Sequence, residues 1–185
     1  VGNSIVSVLL LEGYRVVGLS RTKTKEIESL QSKYGKEKYV HIDFDMSEPK
    51  NIKKLYKKHL RPLTRQRGII GYVNNAAMAY DDIISNLNIE SLEKMYKVNV
   101  FSPMMLIKYV LRDMLLNKNT GSIIHISSIS AHTGYKGLAM YASTKAAMEA
   151  FSKNTAREWG GIGIRSNVVC PGFMDTEMSE NFQVN

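Results

Sequence analysis

Tyr141 and Lys145 stand four residues apart in Met140-Tyr-Ala-Ser-Thr-Lys-Ala-Ala-Met-Glu-Ala-Phe151, and Ser128 closes the run Ser122-Ile-Ile-His-Ile-Ser-Ser128 thirteen residues earlier. One turn of helix would put the phenol and the ammonium on a single face. A strand ending in Ser could bring a hydroxyl to the same place. A phenol ordinarily loses its proton at about pH 10, and a neighbouring ammonium favours the phenolate and lowers that value. The chemistry on offer is proton transfer to or from a carbonyl or alcohol oxygen, with the Ser128 hydroxyl orienting that oxygen.

The pair by itself is not specific. The same spacing recurs at Tyr34 and Lys38, where it straddles Gly35 in a charged stretch with no Ser-ended strand ahead. That second pair reads as a surface coincidence, and an isolated Tyr/Lys pair usually marks an exposed helical face. The weight therefore falls on the elements that must position Ser128, Tyr141 and Lys145 together.

Apolar, β-branched runs at Tyr14–Leu19, Tyr39–Ile42, Ile69–Val73, Ser122–Ser127 and Ile164–Cys170 read as strands. Helical patterns fill Asn3–Glu12, Glu48–Leu63, Ile89–Val98, Phe101–Asn117 and Met140–Trp159, with starts at Ser47-Glu-Pro and Asn88-Ile-Glu. Gly35, Gly68, Gly121 and Gly160-Gly161 mark stops and turns. Apolar strands alternating with helices predict an α/β chain with a doubly wound parallel sheet covered on both faces. Such sheets bind ligands beyond the carboxyl ends of their strands, which is where Ser128 falls.

The chain of 185 residues is sized for a single domain, 1–185, with a real core, and 44% hydrophobic and 23% charged residues are ordinary for a globular protein. No apolar run reaches the roughly 18 residues of a membrane span, so no membrane partner is expected. Cys170, the one cysteine, has no internal disulfide partner; it reads as core packing, in a reducing, cytoplasmic setting. His41, His59, His125 and His132 show no metal-ligand spacing, and no Gly-x-Ser-x-Gly elbow is present, so no metal site is expected. Much of the net charge of +8 lies at Lys50, Lys53, Lys54, Lys57, Lys58, Arg61, Arg65 and Arg67. With Ile52, Leu55 and Tyr56 on the other side, this is the solvated face of an amphipathic helix and not a nucleic-acid surface.

Further motifs join the first three. Asn74-Asn-Ala-Ala77 follows the strand Ile69–Val73, Asn99 lies in Lys97-Val-Asn-Val100, and Pro171-Gly-Phe-Met-Asp-Thr176 follows the last strand. In this order and spacing the chain resembles the short-chain dehydrogenase/reductase family, most of all its 3-oxoacyl-carrier-protein-reductase-like branch, over essentially its whole length. The resemblance implies a Rossmann-like three-layer sandwich and hydride transfer between a nicotinamide cofactor and a carbonyl/alcohol substrate. It places Asn99, Ser128, Tyr141 and Lys145 on the catalytic positions. Tyr141 would exchange the proton, Lys145 would depress the Tyr141 pKa and hold the nicotinamide ribose, and Ser128 would fix the substrate oxygen. Asn99 would interrupt its helix and hold a relay water.

The resemblance also implies cofactor contacts at Gly2, Ser20, Arg21, Asp45, Met46, Asn74, Ala76, Ala77, Pro171, Gly172 and Thr176, besides Tyr141 and Lys145. The family's Asp at the end of the second strand selects NAD; here Ser20 and Arg21 stand there. Arg pairs with a 2′-phosphate that an Asp would repel, so NADP(H) is expected over NAD(H). Gly2 matches only the last glycine of the family's pyrophosphate turn, and Ala77 stands in place of a glycine. The family's first strand and its C-terminal strand are not in the sequence, so the native protein is expected to extend beyond both ends. The helices Phe101–Asn117 and Met140–Trp159 are expected to build a homodimer or homotetramer. Two other readings stay open: a sugar, polyol or sugar-nucleotide oxidoreductase of the same family, and a non-catalytic dinucleotide-binding member.

Overall fold

The computed structural model describes residues 1–172 and 174. It has two compact units, Val1–Met46 and Ser47–Asn185. Both are α/β with parallel strands.

In the first unit, α1 (Gly2–Leu11), β1 (Val16–Ser20), α2 (Lys25–Tyr34) and β2 (Tyr39–Asp43) alternate, and β1 pairs in parallel with β2 from Val16↔Tyr39 to Ser20↔Asp43. Leu10, Ile27 and Tyr39 form its small core, with Val6, Val16, Leu30 and Tyr34 packed around them. Gly18 is there for the Tyr39 ring: a Cβ at that position would come within 2.9 Å of the phenol oxygen. Helix α2 is absent from the sequence-based expectation. Its apolar residues make a single thin stripe, Ile27, Leu30 and Tyr34, in an otherwise polar ten-residue segment, too narrow to stand out as a periodic pattern. The helix ends at Gly35, whose φ of 87° favours glycine.

In the second unit, β3 (Gly71–Asn74), β4 (Gly121–Ile126) and β5 (Ile164–Val169) form a parallel ladder in that order. The parallel α/β plan is present as two ladders, with β1 bonded to β2 and β3 to β4. Residues 49–64 are helical throughout: a 3-10 turn, α3 (Ile52–Leu55), a π turn and α4 (Arg61–Thr64). Ile52, Leu55 and Tyr56 are buried while the lysines face solvent, as expected of an amphipathic helix. Helix α5 (Ile89–Tyr96), a π turn (Lys97–Phe101) and α6 (Ser102–Leu116) are continuous; Asn88 caps the start through Ser91 N–H at 2.8 Å. Helix α7 (Ala139–Trp159) follows β4.

The core of this unit unites α6 with all three strands: Ile107, Val110, Met114, Ile123 and Ile164, flanked by Ile69, Tyr72, Leu111, Phe151 and Trp159. Asp113 clasps its edge. Its buried carboxylate accepts from Thr64 Oγ1 at 2.6 Å, Ile69 N–H at 2.7 Å and Tyr56 O–H at 3.2 Å. Coverage on both faces is not met for β5, whose burial alternates: Ile164 is buried while Arg165 and Asn167 are exposed. The strand is terminal in its ladder, and Arg165, Asn167 and Val169 occupy the open face. Cys170, expected in the core, lies just beyond β5 and is exposed.

Candidate active site

Strand β4 ends at Ile126, and the next two residues diverge. Ser127 is buried and its hydroxyl donates to Glu149 Oε1 at 2.6 Å. Ser128 is extended, with φ −159° and ψ 149°, and caps a 3-10 turn over Ile129–Ala131. Its Oγ accepts from the Ser130 backbone N–H at 3.2 Å and from the Ser130 hydroxyl at 3.0 Å. Among the described residues Ser128 Oγ serves as an acceptor, which leaves its own O–H to donate to a substrate oxygen.

Tyr141 and Lys145 both lie in α7, and Lys145 is 6% exposed. The Lys145 Nζ donates to Ile126 O at 2.8 Å and sits 5.4 Å from the centre of the Tyr141 ring. The lysine therefore ties its helix to the end of β4, two residues from Ser128. Burial lowers the Lys145 ammonium to about 8. The phenol departs from expectation: burial, with the Asp81 carboxylate adding to it, holds Tyr141 above its ordinary value. Desolvation penalises the phenolate more than one ammonium beyond the ring face favours it. Asp81 lies in the chain segment after β3, and no spacing in the sequence links it to Tyr141.

Asn99 is buried in the π turn, the irregular stretch between α5 and α6. Its Oδ1 accepts from Met78 N–H at 2.9 Å, and its Nδ2 donates to Met78 O at 2.8 Å and to Thr144 Oγ1 at 3.0 Å. Thr144 in turn donates to Tyr141 O at 2.7 Å. Asn99 thus pins the chain after β3 to the first turns of α7. Both of its N–H groups already have protein acceptors, so a relay water is left the second lone pair of Oδ1 and the carbonyls of the π turn. The sequence reading did not single out Thr144 or Ser130, although each flanks a residue that it did.

Beneath these groups His125 is fully buried, 6.4 Å from Phe151 in an edge-on contact. Burial and then the Lys145 charge lower it to about 4, so it is neutral at pH 7. Asn74 Nδ2 lies 3.4 Å from its Nδ1, while Asn74 Oδ1 and His125 Nε2 have no hydrogen-bond partner among the described residues.

Of the remaining cofactor candidates that the structure describes, all but Gly2 fall at or just after strand ends. In the first unit, Ser20 closes β1 and Arg21 follows it, exposed. Ser20 Oγ donates to Thr22 O at 2.9 Å and meets His41 Nε2 at 2.8 Å. Asp45 and the buried Met46 follow β2 at the same end of the parallel pair. Gly2 opens α1. In the second unit, Asn74 closes β3, with Ala76 and Ala77 half-buried after it. Pro171 and Gly172 follow β5, and Pro171 O accepts from Ile129 N–H at 2.9 Å. Thr176 lies outside the described residues. A buried acceptor without a partner, Asn74 Oδ1, in the segment assigned to the dinucleotide fits a ligand that brings donors.

A family model described as short chain dehydrogenase matches residues 1–185. The chain is 30% identical over 182 residues to the 3-oxoacyl-acyl-carrier-protein reductase FabG of Buchnera aphidicola, covering 97% of this chain and 71% of that protein. Against carbonyl reductase family member 4 of Danio rerio it is 28% identical over 180 residues, covering 97% and 73%. Among solved structures, a short-chain dehydrogenase from Streptomyces avermitilis superposes with a TM-score of 0.84 at 26% identity, covering 95% of this chain and 62% of that one. ElxO with NADP bound superposes with a TM-score of 0.76 at 30% identity, covering 94% and 70%. The chain thus spans a little under two thirds of the Streptomyces protein and more of the others.

Proposed function

The chain belongs to the short chain dehydrogenase family of NAD(P)-dependent oxidoreductases, and on that premise we propose that it is an NADP(H)-dependent reductase of a carbonyl substrate, with a 3-oxoacyl thioester as the favoured class. The observation that carries the reading is Lys145, buried, bonded to the end of β4 and one helical turn from Tyr141. A lysine is rarely buried without a task.

When bound, the nicotinamide supplies or accepts the hydride. The protein's own groups handle the oxygen and its proton. Tyr141 holds its proton at neutral pH, as a phenol ordinarily does, burial pushes its pKa further up, and a neutral phenol is the form that protonates a carbonyl oxygen during reduction. Ser128 donates its O–H to that oxygen while Ser130 fixes the hydroxyl. Lys145, poised at about 8, returns a proton toward the phenol and presents its ammonium to the ribose hydroxyls. Asn99 holds the turn on which Tyr141 sits, by way of Thr144.

For the adenosine end we assign Gly2, Ser20, Arg21, Asp45 and Met46 of the first unit. For the remainder we assign Asn74, Ala76, Ala77, Tyr141, Lys145, Pro171, Gly172 and Thr176 of the second. Arg21 favours NADP(H), because a guanidinium pairs with a 2′-phosphate. ElxO binds NADP, and the Buchnera relative is a 3-oxoacyl reductase. No helix among the described residues is long and apolar enough to cross a membrane; we assign the protein to the cytoplasm, as one Rossmann-like domain acting as a homodimer or homotetramer.

The test is NADPH oxidation, followed by absorbance, with a 3-oxoacyl thioester, a simple ketone and a keto-sugar, alongside fluorescence titrations of NADPH and NADH. Turnover fastest on the thioester with tighter NADPH binding is expected. Fastest turnover on the keto-sugar would transfer the assignment to the sugar or polyol reading. Binding without turnover on any carbonyl would make the protein a dinucleotide-binding member without catalysis.

A further inference from the structure

The mechanism above leaves unused a second cluster of reactive side chains in the same unit. His132, just after the 3-10 turn, Glu149, in the middle of α7, and Cys170, just after β5, bring one ligand atom each within 4.8 Å of one another. The His132 Nε2 lies 3.0 Å from Glu149 Oε2 and 3.1 Å from Oε1, and Cys170 Sγ lies 3.7 Å from that same Nε2 and 3.4 Å from Oε1.

A Cys–His–Glu set raises the thought of a nucleophile with its base, and the geometry argues against it. A relay needs the thiol on one ring nitrogen and the carboxylate on the other. Here sulfur and carboxylate both converge on Nε2. Groups that converge on one point are arranged as ligands. With bond lengths of about 2.3 Å to sulfur and about 2.0 Å to nitrogen and oxygen, a tetrahedral zinc ion would separate S from N and S from O by about 3.5 Å each, and N from O by about 3.3 Å. The three observed edges lie close to these values.

We propose that His132, Glu149 and Cys170 form a binding site for a zinc-like divalent transition-metal ion, with a fourth position open to water. The donor set of one imidazole, one carboxylate and one thiolate selects borderline and soft cations over magnesium or calcium. The open position follows from exposure: the His132 side chain is 56% exposed and Cys170 faces solvent. Ser127 supplies the outer shell, its hydroxyl donating to Glu149 Oε1 at 2.6 Å and fixing the carboxylate. The ligands come from three separate elements, so the ion would cross-link the end of the 3-10 turn after Ser128, α7 and the residue that follows β5. Separations of 17 and 21 residues match no linear metal motif, which is why the sequence does not announce the site.

Cobalt(II) titration of the purified, reduced chain tests this, because Cys170 is the one thiol and any thiolate-to-cobalt charge-transfer band must come from it. The expected result is a band saturating at one equivalent, displaced by zinc and absent in Cys170→Ser. His132→Ala, which changes an exposed side chain, should raise the Kd by at least about 100-fold, and Ser127→Ala by about 10-fold, as losing an outer-shell partner does. Circular dichroism of each variant establishes that it is folded. Absence of the band at millimolar cobalt would overturn the proposal. So would a band of unchanged affinity in His132→Ala, which would mean that the thiol alone captures the ion.

Discussion

Tyr34/Lys38 and Tyr141/Lys145 have the same spacing, and in both pairs the lysine donates to a backbone carbonyl. Lys38 reaches Gly13 O at 3.1 Å and Lys145 reaches Ile126 O at 2.8 Å. There the likeness ends. Helix α2 stops at Tyr34, so Lys38 lies beyond Gly35, on the surface of the first unit. Its tyrosine takes a different cation instead, Lys33 at 5.1 Å. Tyr141 and Lys145 share one uninterrupted helix of 21 residues, and Lys145 is buried beside a strand end that also offers Ser128. Spacing brings two side chains to one face only while the helix persists. Burial then decides whether the charge is an inert surface group or one whose proton can move.

The largest expected effect comes from removing the proton donor. Tyr141→Phe should lower kcat by about 10²–10⁴-fold, the range of general acid catalysis, with NADPH binding and thermal unfolding nearly unchanged. Steady-state kinetics that retain half the wild-type rate would end the parallel between this pair and an acid/base site. Next is the clasp that supports the second unit. Asp113→Ala leaves Thr64, Tyr56 and the Ile69 N–H without this acceptor, and should cost about 1–3 kcal/mol for each buried donor left unsatisfied, read by urea unfolding.

Lys145 gives a signature in pH. Burial moves its folded-state value from 10.5 to about 8. Between those values the unfolded chain holds a proton that the folded chain has lost. Stability should therefore rise as pH goes from about 8 to 10.5, and the full penalty for burying the charge applies below 8. The rise should be on the order of 3 kcal/mol and should vanish in Lys145→Met, as read by chemical denaturation at several pH values. A flat profile in the unmutated protein would show that the lysine is solvated and no different in kind from Lys38.

Arg21 carries a smaller expectation. If it holds a 2′-phosphate, Arg21→Ala should weaken NADPH by about 10–100-fold, the worth of a charged hydrogen bond, and leave NADH unchanged. Equal loss for both dinucleotides would remove the argument for NADP(H). Smallest of all, Lys38→Met should alter neither turnover nor stability beyond about 0.5 kcal/mol. A large loss there would mean that the first pair is no coincidence.

Much of this was legible beforehand. The α/β class and the five strands to within two residues follow from local pattern, whereas Asn99 and Ser128 were singled out through the resemblance and the spacing to Tyr141. Helix α2 was not legible, because a charged segment with three apolar residues carries too little periodicity. Cys170 was misplaced because an apolar neighbourhood in sequence says nothing about which strand lies at the end of a ladder.

What the sequence determined by itself is the set of reacting groups and their order: a Ser at a strand end, and a Tyr and Lys one helical turn apart. Those depend on covalent spacing and on local periodicity, which the chain carries everywhere. What only the tertiary structure decided is how those groups behave. Burial raised the Tyr141 phenol and lowered the Lys145 ammonium, and Asp81, Thr144 and Ser130 entered from positions that no motif marks. His132, Glu149 and Cys170 converged in the same way. The physical reason is that pKa values and ligand geometry depend on distances of a few ångströms between residues far apart in the chain, and those distances exist only after the helices and strands have packed.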